Sequence, residues 1–265
     1  MALSVRPAGP ADMTAVRRVA NGFDLLHDWP DSPDFLDCER EHGRLMLASE
    51  AEAAVGFGGV LGRGAVTHLG DLFVAPGHQS GGVGRALLDR LFDGTGARAT
   101  FASADPRAVP LYLRYGMLPR CPLYYLAGPA PAGEPAVSTV DISRVLAADA
   151  SACGGSREEV LRWYAALPGV RVHAGPDGYA LAREVDGRVV LGPAGGGTAA
   201  GCARTVLATA AWYAGRPLRL VVFGPNPLLP RLLAAGLRIE DSDTYLATEA
   251  DLLPVDRYLP GSDLG

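Results

Sequence analysis

Lysine is absent from this sequence of 265 residues, in which all 24 basic residues are arginine. The phosphate-binding P-loop of nucleotide hydrolases needs a lysine, and pyridoxal phosphate is bound by a lysine as a Schiff base. We therefore expect neither of these two kinds of chemistry.

Clustered cysteines, long apolar runs and net positive charge are missing as well. The four cysteines (Cys38, Cys121, Cys153 and Cys202) form no Cys-x-x-Cys pair and no close Cys/His group, which predicts reduced, buried thiols and no metal site. No apolar run reaches membrane-spanning length, and the first residues lack the pattern of a secretory signal, so we expect a cytoplasmic protein with no membrane partner. The net charge of -5 gives no basis for binding nucleic acid.

The stretch Gly70–Leu88 carries the clearest local pattern of the chain. The apolar run Leu72–Val74 is typical of a short strand, and Pro76 with Gly77 ends it. Apolar residues then recur at helical spacing over Val83–Leu91. The pattern predicts a strand, a glycine-rich turn and a helix.

The glycines of this turn are compatible with an anion-binding site. Gly81, Gly82 and Gly84 lack side chains where a backbone has to approach a ligand closely. The first amides of the following helix have no partner inside the helix, and the positive end of the helix dipole adds to them. Arg85 in the first turn could add a charged contact. An ordinary connection, with glycine as the turn residue, is the alternative interpretation.

The spacing Gln79-x-x-Gly82-x-Gly84 resembles the acyl-CoA pyrophosphate loop of the GCN5-related N-acetyltransferases, the GNAT superfamily. The resemblance implies that the backbone before the loop contacts the pantetheine arm and that the loop surrounds the pyrophosphate. The implied cofactor-binding residues are Leu72, Phe73, Val74, Gln79, Ser80, Gly81, Gly82, Val83, Gly84 and Arg85.

A second segment, Asp105–Leu118, resembles the Asn-x-x-Ala-x-x-x-Tyr-x-x-x-Gly-Phe segment of the same family. Asp105 stands at the Asn position and Tyr112 at the Tyr position, while Met117 replaces the final Phe. The resemblance implies that Asp105 and Tyr112 line the cofactor and that Tyr112 protonates the departing CoA thiolate. Tyr112 could instead be an ordinary aromatic residue packed on the core.

The general base is less clear from the sequence. Some polyamine-type members of the family carry Glu-Asp where this chain has Gly70-Asp71. On an alternating strand His68 shares a face with Gly70, and it could accept a proton through a water in the gap. Asp71 is the competing candidate, although alternation predicts that it faces the other way. His68 could also simply cap the strand surface.

The segment 21–42 is acidic. It contains seven acids against the single arginine Arg40; the acids are Asp24, Asp28, Asp31, Asp34, Asp37, Glu39 and Glu41. Some of these carboxylates could attract a cationic amine, and Phe23, Asp28 and Trp29 are the candidate acceptor-binding residues. A solvated face is the alternative, and we expect only one or two of the acids to point inward.

The second half of the chain resembles a degenerate copy of the first. The segment Thr198–Ala203 aligns with the Gln79 loop, and Leu232 aligns with Tyr112, so this copy lacks the tyrosine acid. The resemblance predicts an α/β (α+β) fold with two GNAT-like domains, each a mixed, mostly antiparallel sheet flanked by helices. The predicted domains are residues 1–127 and 137–265, joined by a linker at 128–136. Three antiparallel strands before the loop argue against a dinucleotide-binding fold.

The resemblance implies direct transfer of acetyl from acetyl-CoA to a small-molecule amine, without a metal ion. A CoA-binding module without turnover, and transfer of another acyl group, remain alternatives. We expect a structural or acceptor-site role for the second domain, while a second CoA site stays open. The strands at the domain ends could pair within the chain or across a homodimer.

Overall fold

The computed structural model describes residues 3–92, 94, 96–262 and 264–265. By their internal contacts the residues form two compact units. The N-terminal unit comprises Met1–Gly62 and Thr67–Arg98, and the C-terminal unit comprises Arg63–Val66 and Ala99–Gly265. Among the described residues, no helix is both long and apolar enough to span a bilayer.

The N-terminal unit is a four-stranded sheet with three helices. Its elements are β1 (Leu3–Pro7), α1 (Met13–Asn21), α2 (Phe35–His42), β2 (Gly43–Glu50), β3 (Ala53–Arg63), β4 (Val66–Val74) and α3 (Val83–Leu91). The strands lie in the order β1-β2-β3-β4, and β2 is antiparallel to both of its neighbours. The strands that alternation and apolar runs predicted before the loop are confirmed.

Side-chain contacts fix the start of α2. The Asp34 carboxylate accepts hydrogen bonds from the amides of Leu36 and Asp37, and the Asp37 carboxylate accepts one from the Asp34 amide. This reciprocal capping satisfies amides that a helix leaves without partners. Arg17 of α1 forms ion pairs with both carboxylates, 2.7 Å from Nε to Asp34 Oδ2. The pairs hold the first two helices together.

The C-terminal unit contains the remaining elements. They are β5 (Ala97–Ala102), α4 (Ala108–Leu113), β6 (Leu118–Pro129), β7 (Ser138–Thr139), α5 (Leu146–Ala152), α6 (Glu158–Ala165), β8 (Val170–Gly175), β9 (Gly178–Val185), β10 (Arg188–Gly196), α7 (Ala199–Trp212), β11 (Pro217–Phe223), α8 (Leu229–Ala234), β12 (Arg238–Ala247) and β13 (Tyr258–Leu259). The strand order is β5-β12-β6-β11-β10-β9-β8-β7, with β13 paired to β10. Most pairs are antiparallel, and β10 with β11 is parallel. The predicted fold class, a mixed and mostly antiparallel sheet flanked by helices, is confirmed.

The last strands of the two sequence halves are exchanged in this sheet. Strand β12, from the second half, lies between β5 and β6 of the first half, and β6 lies between β12 and β11. The Tyr125 hydroxyl of β6 donates to the Asp243 carboxylate of β12 at 2.8 Å. The end strands of the two halves therefore pair within one chain.

The first residues of the predicted linker belong to a strand. Gly128 and Pro129 are the end of β6 and pair with Leu218 and Pro217 of β11. The strand extends because β11 offers it a pairing edge that a local sequence pattern does not reveal. After the linker, the chain forms the two residues of β7, followed by a short helical turn. The division into domains 1–127 and 137–265 stays a prediction.

Candidate functional site

The strand, glycine turn and helix predicted around residue 80 are confirmed in the N-terminal unit. Strand β4 ends at Val74 and α3 begins at Val83. Gly82, at the N-cap of α3, has a φ of +90°, and Ser80 has a φ of 64°. A left-handed backbone at position 82 favours glycine because it has no Cβ to clash with the neighbouring carbonyl. The loop thereby turns sharply into the helix.

The N-terminus of α3 is open. Within the part of the chain that the structure describes, a Cβ added at Gly82 would meet no atom within 4 Å, and no side chain caps the helix. Arg85 in the first turn is exposed. The side chain of Gln79 points back toward the strand, where its Nε2 donates to the Val74 carbonyl at 2.9 Å. Gln79 thus closes the base of the loop and leaves the helix end accessible to an anion.

The corresponding loop of the second half, before α7, is filled by the chain itself. The Thr198 hydroxyl caps α7 by accepting from the Gly201 amide at 3.0 Å. The Gly197 amide donates to the Asp177 carbonyl, and the Gly196 amide donates to the Arg257 carbonyl. A Cβ at Gly201 would lie 2.6 Å from the Asp177 Cβ. Asp177 therefore packs directly against the first turn of α7.

Phe73 of β4, a predicted cofactor-binding residue, belongs to an aromatic cluster. The cluster also contains Phe23, a predicted acceptor-binding residue. The Phe73 ring lies 5.0 Å from the ring of Phe23 and 5.7 Å from that of Phe57, measured between centroids. The buried Trp29 packs edge-on against Phe35 at 5.8 Å. The structure therefore brings Phe23 to the strand that precedes the loop.

The acidic segment is more buried than the sequence suggested. Four of its seven acids are buried, which are Asp28, Asp34, Asp37 and Glu39. The expectation that only one or two point inward was wrong, because Asp34 and Asp37 are satisfied by helix capping and by Arg17, which lies outside the segment. Asp28 is paired with His27 at 3.0 Å.

Glu39 is different from the other buried acids. Its side chain is 0% exposed, and it lies against two glycines of neighbouring strands. A Cβ added at Gly59 of β3 would sit 1.7 Å from Glu39 Oε2, and one added at Gly70 of β4 would sit 2.6 Å from Oε1. The two glycines leave the space that the carboxyl group fills.

Glu39 also contacts Asp71. Burial, followed by the charge of Asp71 and a hydrogen bond to its carboxyl, raises the pKa of Glu39 well above its usual value. Gly70 is exposed and Asp71 is buried, and the Glu39 carboxyl lies next to both positions. His68, the other candidate base, is buried at 2% exposure on the same strand.

Tyr112 and Asp105 lie in the C-terminal unit. Tyr112 is buried on α4 at 7% exposure, and its carbonyl accepts from the amides of Tyr115 and Met117. The Asp105 carboxylate accepts from the Arg107 amide at 2.8 Å and forms an ion pair with the Arg107 guanidinium. These hydrogen bonds hold the pKa of Asp105 below its usual value. Asp105 therefore orders the turn that leads into α4.

Glu39 was not singled out as a candidate functional residue from the sequence. It stood among seven acids, and nothing local separated it from the others. The available signal was the pair Gly59 and Gly70, because glycine inside a strand often marks a close approach by another group. Within the described ranges no group of three or more His, Cys, Asp or Glu side chains is arranged to hold a metal ion.

Comparisons with known proteins agree with the motifs. Residues 14–117 match the model of the acetyltransferase (GNAT) family. A putative acetyltransferase from Pyrococcus horikoshii is similar with a TM-score of 0.77 and 18% identity, covering 99% of this chain and 96% of that one. A tandem GNAT protein from the clavulanic acid biosynthesis pathway gives a TM-score of 0.59 and 17% identity, covering 94% and 99%.

A GCN5-related N-acetyltransferase from Kribbella flavida gives a TM-score of 0.59 and 16% identity, covering 93% of this chain and 70% of that one. At these identities the structural likenesses concern the fold alone. No curated protein sequence matches the chain.

Proposed function

We propose that this protein transfers the acetyl group of acetyl-CoA to the amine of a small molecule, because residues 14–117 match the model of the acetyltransferase (GNAT) family. The observation that carries the proposal is the open N-terminus of α3 behind Gly82. Backbone amides at such a helix end, together with the helix dipole, suit a pyrophosphate. The exposed Arg85 adds positive charge there.

The proposed reaction is a direct transfer. The neutral amine attacks the thioester carbonyl, a nitrogen–carbon bond forms, and the carbon–sulfur bond breaks. The departing thiolate takes a proton, for which Tyr112 is the proposed donor. No covalent acyl-enzyme is needed in this route. One acyl-CoA per chain is proposed, because the chain's own Asp177 and Thr198 fill the second loop.

The proposed acceptor is a cationic amine with an apolar portion. Support comes from the N-terminal unit, where Phe23 packs against Phe73 and where Asp28 and Glu39 are buried acids. Aromatic walls with a few placed acids are typical of small-ligand sites. Phe23, Asp28 and Trp29 remain the proposed acceptor-binding residues.

A calorimetric titration with acetyl-CoA tests the proposal, comparing the wild type with Gly82→Glu. The added carboxylate would occupy the anion site and repel the pyrophosphate. Gly187→Glu is the matched control, because Gly187 also has a positive φ, of +78°, and also has no atom within 4 Å of an added Cβ. Both variants thus carry similar backbone strain.

We expect one bound acetyl-CoA per wild-type chain, loss of binding in Gly82→Glu, and normal binding in Gly187→Glu. Two bound molecules would show that the Thr198 loop also binds. The absence of binding to the wild type would overturn the proposal.

A further inference from the structure

The carboxyl group of Glu39 lies in a space that two strands keep clear. Any residue other than glycine at position 59 or 70 would place its Cβ within 1.7 or 2.6 Å of a Glu39 oxygen. Gly70 is itself exposed, whereas Glu39 is 0% exposed. The carboxyl group therefore lies directly behind a point where the strand backbone meets solvent.

Glu39 lacks the partners that normally stabilise a buried acid. Among the described residues, no donor lies within hydrogen-bonding distance of either of its oxygens. Its contact with Asp71 is a hydrogen bond only when one of the two carboxyl groups holds a proton, because two carboxylates offer no donor. A buried acid without a cation or a donor destabilises the folded state. Such a group requires an explanation other than structural support.

We propose that Glu39 is the proton acceptor for the amine in the acetyl transfer, acting at Gly70. This inference rests on the proposed function. Gly70 lies four residues before the end of β4, the strand that leads into the open loop. The absence of a side chain at position 70 leaves room for the Glu39 carboxyl, and Gly70 itself is exposed to solvent.

Atoms and charge are conserved in the proposed proton and acetyl transfers. A substrate ammonium gives one proton to the Glu39 carboxylate, and the resulting neutral amine attacks the thioester. The proton then passes from Glu39 to solvent. The thiolate receives its proton from Tyr112, and the second proton that the nitrogen loses on becoming an amide restores the Tyr112 hydroxyl. Over the whole cycle the ammonium and acetyl-CoA give the amide, free CoA and one proton.

The neighbouring charges make Glu39 a stronger base than an exposed glutamate. Asp71 on β4 and Asp34 at the start of α2 are both acids, and both disfavour the ionised form. Cys38 is adjacent on α2, and His68 lies two residues before Gly70 on β4. The raised pKa means that Glu39 becomes a base only as the pH rises above the range of ordinary carboxyl groups. The rate should therefore fall as the pH drops through this raised pKa.

The test uses Glu39→Gln, which keeps the shape and can still donate to Asp71. Glu41→Gln is the matched control, because Glu41 lies on the same helix and is exposed. kcat/KM is measured against pH with acetyl-CoA and one primary amine that the wild type acetylates. We expect Glu39→Gln to lose about 10²–10⁴-fold in kcat/KM, the usual contribution of a general base, and to lose the acidic limb. Glu41→Gln should match the wild type.

Asp71→Asn provides a readout that a structural role would not affect. Removal of the Asp71 charge lowers the pKa of Glu39, so the acidic limb should move to lower pH. The ionisation of the amine is common to all variants and cannot produce such a difference. In infrared spectra, the band of a protonated carboxyl group should disappear in Glu39→Gln.

Relocating the carboxyl group gives a rescue test. Gly70→Glu alone should be damaging, because its Cβ would clash with Glu39. The double variant Glu39→Ala/Gly70→Glu removes the clash and returns a carboxyl to the site, so it should exceed Glu39→Ala in kcat/KM.

The outcomes separate the two proposals. A wild type that neither binds acetyl-CoA nor transfers acetyl to any amine contradicts the proposed function. A wild type that transfers acetyl, with Glu39→Gln keeping both its rate and its acidic limb, overturns the assignment of Glu39 alone.

Discussion

Two buried carboxylic acids, Asp149 in the C-terminal unit and Glu39 in the N-terminal unit, have opposite surroundings. Asp149 forms an ion pair with Arg157 at 2.8 Å and accepts hydrogen bonds from the hydroxyl of Tyr179 and the thiol of Cys153. Burial raises its pKa, but these partners outweigh that effect and the pKa is lowered. The pKa of Glu39 is raised instead, because burial and then the charge of the neighbouring Asp71 disfavour its ionised form. Burial alone therefore does not decide whether an acid is structural; its partners do.

The N-termini of α7 and α3 differ in the same way: one is satisfied by groups of the chain and the other is not. The chain caps α7 with Thr198 and satisfies the preceding amides of Gly196 and Gly197 with its own carbonyls. At α3 no side chain caps the helix, and the space beside Gly82 is open. In the second half the polar groups serve the fold, whereas in the first half they are left available to a ligand.

The largest expected effect concerns Tyr112 and its counterpart Leu232. Tyr112→Phe should lower kcat by about 10²–10⁴-fold, since a general acid contributes that much, and should leave the Kd for acetyl-CoA unchanged. Steady-state kinetics and calorimetry measure the two quantities, with Tyr115→Phe as the control. Full activity in Tyr112→Phe would show that acetyl transfer does not require the Tyr112 hydroxyl.

Removing the charge of Asp149 should mainly affect stability. Asp149→Asn should lower the free energy of unfolding by about 3–5 kcal/mol, because Arg157 remains buried without its counter-charge. Urea unfolding measures the change, and Glu39→Gln serves as the contrast, with little loss expected because no cation is left behind. A larger loss of unfolding free energy in Glu39→Gln than in Asp149→Asn would mean that Glu39, and not Asp149, is the acid that stabilises the fold.

The pH dependence of stability follows the same logic. The Asp149 pKa is lower in the folded than in the unfolded state, so its stabilisation is present above the unfolded value and disappears as the pH falls through the folded value. Glu39 has a raised pKa and acts in the opposite direction, stabilising the fold at low pH and losing that contribution as the pH rises. Asp149→Asn should therefore weaken the acid sensitivity of unfolding.

The smallest expected effect is at the filled loop. Thr198→Ala should cost about 0.5–2 kcal/mol, the usual value of an N-cap, while Thr198→Ser should keep the cap. Neither change should alter the number of acetyl-CoA molecules bound per chain in calorimetry. A change in that number would show that the second loop also binds acetyl-CoA.

The local elements of the first half were predictable because their signals lie within a few residues. Alternation and apolar runs indicated β2, β3 and β4, and Pro76 with the following glycines indicated the turn into α3. The extension of β6 through Pro129 was not predictable, because it depends on β11, which is distant in sequence.

The open loop follows from the local sequence, since a left-handed glycine before an amphipathic helix is a property of Gly82 and its neighbours. The roles of the acids depend instead on long-range packing. It satisfied Asp34 and Asp37 through Arg17, placed Asp149 against Arg157, and set Glu39 between Gly59 and Gly70. It also exchanged β6 and β12. The physical reason is that an acid's charge state and a strand's partner both depend on groups far away in the chain, which meet only when it folds.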